Sequence, residues 1–223
     1  MRIGVLGTGS VGRAIGGKLA ELGHDVMLGT RDVGATMRGP DGEPEDESFA
    51  EWLGRNPKVA LGTFAQAAAH GEVLFNCTLG DGSLDALGSA AEQLEGKVLV
   101  DVSNPLEYDE GGMKLFVPSG DSLAEQIQRA HPEAKVVKTL NTVNALVMVN
   151  PGSLEGGDHT IFVCGDDEDA KASVVEILRA FGWERILDLG DLSAARGMEA
   201  YLLLWIRLMS TLGTPALNMK IVS

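Results

Sequence analysis

Positive charge is scarce in this chain of 223 residues: 18 lysines and arginines stand against 32 aspartates and glutamates, a formal net charge of −14. Such a surface repels phosphate backbones, which excludes nucleic acid and anionic membrane as partners. Any anionic ligand must be held by local donors rather than by the global field. Cysteine is nearly absent. Cys77 and Cys164 each lie in an apolar, strand-like run, so both are expected as buried thiols in a reducing compartment rather than as a disulfide. His24, His70, His131 and His159 are scattered and make no metal-ligand cluster with the cysteines. Long hydrophobic runs are missing too. The longest, Ala200 to Ile206, is too short to span a bilayer and is followed by Arg207. The first apolar strand follows Met1-Arg2 directly, without an apolar leader, so a cytoplasmic location is expected.

Glycine, by contrast, is plentiful, and three glycines are spaced to matter. Residues 3 to 12 run Ile-Gly-Val-Leu-Gly-Thr-Gly-Ser-Val-Gly, a short strand leading into G-x-G-x-x-G at Gly7, Gly9 and Gly12. A helix pattern follows, Val11 to Leu22. The first glycine permits a tight turn, the second lets the backbone approach a pyrophosphate, and the third lets helix and strand pack closely. The pyrophosphate then rests on the free N–H groups and the positive end of the helix dipole. The spacing alone is weak; strand, turn and helix in the required order make it a dinucleotide site.

Strand and helix patterns then alternate. Strands are expected at Asp25–Leu28, Val59–Leu61, Val73–Thr78, Lys97–Val102, Lys135–Leu140, His159–Cys164 and Arg185–Leu187. Helices are expected at Phe49–Leu53, Thr63–Ala69, Ser83–Leu94, Ser122–Ala130 and Val143–Val149. A further helix starts on the acids at 166–169 and ends at Gly182. Residues 32 to 57 read as a polar loop before the short helix, with a solvated acid run at 39 to 47. Leu106 to Gly120 reads as a long loop of the kind that covers a site. Ser193 caps a last helix to Leu212. Its stripe of Met198, Tyr201, Leu202, Trp205, Leu208, Met209 and Leu212, with Leu203, Leu204 and Ile206 on other faces, suits a core helix or a dimer interface. The class is α/β: a Rossmann-type, doubly wound, mostly parallel sheet with a small C-terminal helical part. Residues 1–150 would form the nucleotide domain and 151–223 a smaller part packed on it or continuous with it.

The end of the second strand separates NAD from NADP. An acid there bonds the ribose 2′-hydroxyl, whereas small polar and basic groups accept a 2′-phosphate. The sequence is Leu28-Gly29-Thr30-Arg31-Asp32. Thr30 offers a hydroxyl and Arg31 a planar cationic fork, with Asp32 placed in the following turn, so NADP is expected. Ligands in open α/β sheets sit off the carboxyl ends of the strands. That directs attention to Asn104, before Pro105, and to Asn141-Thr142.

These residues together resemble a family. The start MRIGVLGTGSVG, the LGTRD segment and the tail from VCGDDEDAK through LDLGDLSAARGMEAYLLLWIRLM are similar to the NADPH-dependent coenzyme F420 reductases, or deazaflavin:NADP oxidoreductases. The run VVKTLNTVNALVM resembles the related oxidoreductase domain of the metalloreductases of membrane electron transfer. The resemblance spans nearly the whole chain. It implies a homodimer, paired in this chain through the C-terminal helix, and hydride transfer between NADPH and a flavin-like second cofactor: F420, FMN or FAD. It implies that Thr8, Gly9, Ser10 and Val11 bind the phosphates, and that Thr30 and Arg31 hold the 2′-phosphate. Thr78 and Leu79 would flank the nicotinamide ribose. Ser103, Asn104 and Pro105, with Asn141, Thr142 and Val143, would line the nicotinamide and second-cofactor cleft.

Hydride transfer between two rings needs no protein acid in its first step, and no catalytic dyad is evident. A carbonyl or imine reductase would need a proton donor. Lys138 is expected to snorkel from its strand; Tyr108 reads as a surface aromatic and His131 as a turn residue. A module that binds NADP(H) without turnover is the remaining alternative.

Overall fold

The computed structural model describes residues 1–39, 48–109 and 112–222. The acid run expected to be a solvated loop therefore lies, from residue 40 on, outside the described residues. The chain alternates as its hydrophobic pattern requires. β1 (Arg2–Leu6), α1 (Ser10–Glu21), β2 (Asp25–Thr30), α2 (Val33–Arg38), α3 (Phe49–Arg55), β3 (Val59–Thr63) and α4 (Phe64–His70) come first. β4 (Val73–Asn76), α5 (Gly80–Gly88), β5 (Val98–Asp101), β6 (Leu106–Asp109), β7 (Gly112–Leu115), α6 (Leu123–Ala130) and β8 (Lys135–Thr139) follow. The chain closes with α7 (Ala145–Val149), β9 (Thr160–Gly165), α8 (Glu168–Phe181), β10 (Arg185–Asp188) and α9 (Ala195–Leu212).

Eight strands make one sheet in the order β3-β2-β1-β4-β5-β8-β9-β10. Every pairing is parallel except β8 with β9, which is antiparallel. Strands from both sides of residue 150 therefore share a single hydrogen-bonded sheet. The order reverses direction between β1 and β4, the switch point at which such sheets open a crevice.

Successive strand residues feed opposite faces, as the pleat dictates. Val100, Val137, Ile161 and Val163 face α1, α7 and α8, where Ile15, Leu19, Val147, Val174, Ile177 and Phe181 pack. Leu99, Val136, Phe162 and Cys164 face the other way, against Ala67, Leu87, Leu123, Ile127 and Met198. Both faces are covered, so these strands read as continuous apolar runs. Local signals set the helix ends. Asp167 caps α8 by accepting from Ala170 N at 2.8 Å, and Gly182 closes it in the left-handed region. Thr63 and Gln66 form a reciprocal box at the start of α4.

Several expectations need correction. The stretch Leu106 to Gly120 is no loop at its start: β6 and β7 form an antiparallel hairpin, Leu106 opposite Leu115. Leu106 and Tyr108 alternate with Glu107 and Asp109, but the alternation is short and burial does not follow it: Leu106 and Glu107 are half-buried, Tyr108 and Asp109 exposed. Within 32–57 the chain forms α2, which buries no side chain and so shows no apolar period; Asp32 caps it through Ala35 N at 2.8 Å. α5 starts at Gly80 and stops at Gly88, short of Leu94. The cap before α9 is Asp191, which accepts from Ser193 N at 3.0 Å; Ser193 itself lies inside the short 3-10 turn that leads in. In α9, Met198, Leu202 and Trp205 are buried while Leu203, Leu204 and Leu212 are exposed, so one face packs on the core and another does not. Among the described residues no helix is long and apolar enough to cross a membrane.

Candidate functional site

The residues singled out from the sequence converge on one edge, the carboxyl ends of the parallel strands. At the end of β1, Gly7 turns at φ +123°, and a Cβ there would stand 2.6 Å from the Cys77 carbonyl oxygen. A Cβ on Gly12 would overlap the Gly7 carbonyl oxygen, so these two positions are closed to any side chain. Gly9 differs. Its φ is an ordinary −72°, and a Cβ there would meet nothing within 4 Å. It precedes α1, whose first turn holds no acid and whose start has no side-chain cap. The first hydrogen bond of the helix, Arg13 N to Gly9 O at 2.9 Å, leaves the N–H groups before it without an intrahelical partner. Thr8 and Val11 are half-buried there, and Ser10 is exposed.

At the end of β2, Thr36 Oγ1 donates to Asp32 O at 2.9 Å, and the Thr30 and Thr36 hydroxyls meet at 2.7 Å. The Thr30 hydroxyl hydrogen is therefore committed to Thr36, since Thr36 has already used its own. Arg31 makes no hydrogen bond or ion pair among the described residues. Its guanidinium comes to 4.0 Å from the place a Cβ on Gly82 would take, in the first turn of α5. Asp32 spends its carboxylate on the α2 cap.

At the end of β4, Thr78 Oγ1 donates to Asn76 Oδ1 at 2.7 Å and lies 2.7 Å from Ser83 Oγ. Leu79, just before α5, is 82% exposed. β5 and β8 end side by side. Asn104 Nδ2 donates to Asn141 O at 3.0 Å, and Asn141 Nδ2 returns a bond to Asn104 Oδ1 at 2.9 Å. Asn141 Nδ2 also donates to Met198 O at 3.1 Å, which fixes its amide orientation. Among the described residues, the Asn141 amide oxygen and the Thr142 hydroxyl are then buried with no hydrogen-bond partner. Leu140, just before them, is held in the left-handed region at φ 63°. Pro105 and Val143 are buried behind this edge.

Ser103 faces inward. Its Oγ donates to Asp101 Oδ1 at 2.7 Å and its carbonyl accepts from Lys138 Nζ at 2.6 Å. This exposes a cluster that the sequence reading missed. The Lys138 ammonium does not snorkel; it is fully buried, 2.7 Å from Asp101 and 3.0 Å from Glu199. Burial pulls its pKa down, but the two carboxylates outweigh that and hold it above the ordinary lysine value. Glu199, on α9, also accepts from Leu123 N at 2.8 Å and Ala124 N at 3.1 Å, capping α6. The signal was present in the register: Asp101 and Lys138 are opposite residues of two buried neighbouring strands. The cluster ties β5, β8, α6 and α9 together beneath the Ser103–Asn104 turn. Being fully sheltered, Lys138 serves position rather than proton donation.

Beside the strand ends lies an open groove of about 500 Å³, lined by Asp81, Leu106, Glu107, Tyr108 and Phe116. The hairpin forms one wall, stapled by Phe116 N to Pro105 O at 2.9 Å. Gly80 is packed so close to Asn104 that a Cβ would overlap the Asn104 carbonyl oxygen. The groove thus opens directly off the β5 end. Cys77 and Cys164 take no part: both thiols are pushed up by burial, Cys164 to about 12.

The chain is similar to known proteins. A family model described as NADP oxidoreductase, coenzyme F420-dependent, matches residues 2–105. A protein from Arthrobacter sp. FB24, solved as a candidate F420-dependent NADP reductase, is 50% identical over the whole of both chains, with a TM-score of 0.95. The F420-dependent NADP reductase of Methanocaldococcus jannaschii is 28% identical over 204 residues, 90% of this chain and 88% of that protein. Metalloreductase STEAP3 of Rattus norvegicus is 32% identical over 200 residues, 89% of this chain. The chain spans only 36% of that longer protein.

Proposed function

The chain belongs to the coenzyme F420-dependent NADP oxidoreductase family, and from that premise we propose that it passes a hydride between NADPH and a flat, flavin-like acceptor. It is an NADP-dependent oxidoreductase. The observation that carries the reading is the bare start of α1, with open space where a Gly9 side chain would stand. That suits a pyrophosphate. Arg31, without a partner among the described residues at the next strand end, suits a 2′-phosphate. Asn141 Oδ1 and Thr142 Oγ1, an acceptor and a hydroxyl without partners among the described residues, suit a primary carboxamide such as that of nicotinamide.

The protein's part is to hold and to exclude. The α1 start fixes the phosphates, the Asn104–Asn141 pair sets the strand ends, and the hairpin shields one side of the cleft. Held by the α1 start and Arg31, NADPH would supply a hydride to the acceptor ring, with a solvent proton completing the reduction and NADP⁺ left as product. No protein acid is needed for that exchange. We assign the acceptor to the flavin and deazaflavin class, with F420, FMN and FAD as candidates. We further propose that the exposed face of α9 pairs two copies of the chain, an arrangement that light scattering would detect as a dimeric mass. The reading is tested by following absorbance with NADPH or NADH against F420, FMN, FAD and small carbonyls. Oxidation of NADPH with a flavin or deazaflavin supports it. Oxidation with carbonyls alone replaces it with a carbonyl or imine reductase. NADPH binding without any turnover replaces it with a sensing module.

A further inference from the structure

Beneath the β4 end runs a chain of hydrogen bonds whose direction can be counted. Asn76, fully buried at the last position of β4, sends its amide nitrogen to Asp101 Oδ1 at 2.9 Å and to Ser83 Oγ at 3.2 Å. Asp101 also takes Ser103 N at 3.2 Å, Ser103 Oγ at 2.7 Å and, on its other oxygen, Lys138 Nζ at 2.7 Å. A carboxylate beside an ammonium only accepts, so the Asn76 amide faces it one way round, nitrogen inward and oxygen away. That oxygen receives Thr78 N at 3.3 Å and Thr78 Oγ1 at 2.7 Å. It has no hydrogen to offer, so the Thr78 hydroxyl hydrogen is fixed on it. The Thr78 and Ser83 hydroxyls stand 2.7 Å apart, and the hydrogen between them must then come from Ser83. Thr78 Oγ1 has given its one hydrogen and taken another. What it can still do is accept.

Thr78 is half-buried at the crevice edge, its nitrogen 3.2 Å from where a Gly7 Cβ would stand. β1, which leads into the glycine turn, lies between β2 and β4 in the sheet. A dinucleotide carries one ribose on each side of its pyrophosphate. With the 2′-phosphate at Arg31 on the β2 side, the other ribose, which bears the nicotinamide, falls on the β4 side. Resting on the NADP(H) hydride-transfer reading above, we infer that Asn76 is a positioning residue: it makes Thr78 an obligate acceptor, so that the β4 end takes a hydroxyl of the nicotinamide ribose as donor. Asp101, paired with Lys138, sets Asn76 in turn. The buried charge cluster thus reaches the ligand through two side chains, and a ribose held by its hydroxyl presents its ring in one orientation.

The test measures, by calorimetry, binding of NADP⁺ and of two analogues, each lacking one hydroxyl of the nicotinamide ribose. 2′,5′-ADP serves as a probe that stops short of that ribose. One analogue should bind the unaltered protein about three- to tenfold more weakly than NADP⁺, the worth of one hydrogen bond. Thr78→Val should bring that ratio close to one, and Thr78→Ser should keep it. Asn76→Ala frees the Thr78 hydrogen, so the ratio should fall below about twofold while 2′,5′-ADP binds as before. A merely structural loss would weaken NADP⁺ and the analogue alike and leave the ratio alone. Circular dichroism checks the fold of each variant. Should Asn76→Ala fail to fold, Ser83→Ala decides: it leaves the Thr78 hydrogen on Asn76, so the ratio should persist. Equal binding of NADP⁺ and both analogues overturns the inference. So does a ratio that Asn76→Ala leaves unchanged or that Ser83→Ala abolishes. Any of these results with continued NADPH oxidation by a flavin or deazaflavin leaves the hydride-transfer reading standing. The expected ratios without NADPH oxidation by any such acceptor do the reverse.

Discussion

Asn104 and Asn141 clasp one another across the ends of two parallel strands, each side chain bonding the other residue, at 3.0 and 2.9 Å. They lie 37 positions apart in the chain. The clasp explains why Asn141 has one amide oxygen left over: its nitrogen is spent on Asn104 and Met198. Asn104→Ala should release that nitrogen and loosen the β8 end. The expected result is weaker NADPH turnover with the pyrophosphate contacts, and hence binding of ADP-ribose phosphate, little changed. A proportional loss of both, measured by calorimetry and steady-state kinetics, would argue against a role at the nicotinamide end.

Gly9 and Gly12 separate ligand space from protein space. Gly9→Ala meets no protein atom and should leave stability within about 0.5 kcal/mol while weakening NADPH binding severalfold. Gly12→Ala collides with the Gly7 carbonyl and should destabilise the fold itself, by about 1–3 kcal/mol. Urea denaturation with and without NADPH checks both.

Arg31→Ala should raise the dissociation constant for NADPH by the worth of a charged hydrogen bond, about 1.5–3 kcal/mol, and leave NADH nearly untouched. Equal losses for the two nucleotides would remove Arg31 from the 2′-phosphate.

Lys138→Met leaves Asp101 and Glu199 buried without their cation. Loss of one partner of a buried pair costs about 3–5 kcal/mol. Adding Glu199→Gln to that variant should recover part of it. A cost below about 1 kcal/mol in the single variant would show that the cluster is not held as charges.

Glu125 receives Arg196, which holds its carboxyl below the usual range against the opposing effect of burial. A carboxyl with a depressed folded pKa adds stability above its unfolded value and loses it as the pH falls. Glu125→Gln should therefore flatten the decline of melting temperature below about pH 4.3, the ordinary glutamate value. An unchanged acid limb would exclude the pair.

The sheet was legible because its strands are buried on both faces and its glycines fall at the turn. The candidate site was legible where a strand end carries Asn, Thr or Arg, at Arg31, Thr78, Asn104 and Asn141. What escaped reading has a common cause. Lys138 and Glu199 are charges whose partners lie on other elements, so local pattern assigns them to the surface. The hairpin at Leu106 and Tyr108 shows only two alternations per strand, too few to stand out beside Gly111-Gly112. α2 buries nothing and so has no apolar period to find.

The Glu199 carboxylate has a bearing on how the protein is made. Lys138 and the first N–H groups of α6 both wait for a group carried by the final helix. A chain emerging during synthesis can pair its first strands early, yet its interior holds an ammonium facing one carboxylate and a helix with open donors. The last helix closes that interior. Folding to the native state is thus gated until α9 has been made, and a chain stopped before residue 199 would be left with its buried charge half answered.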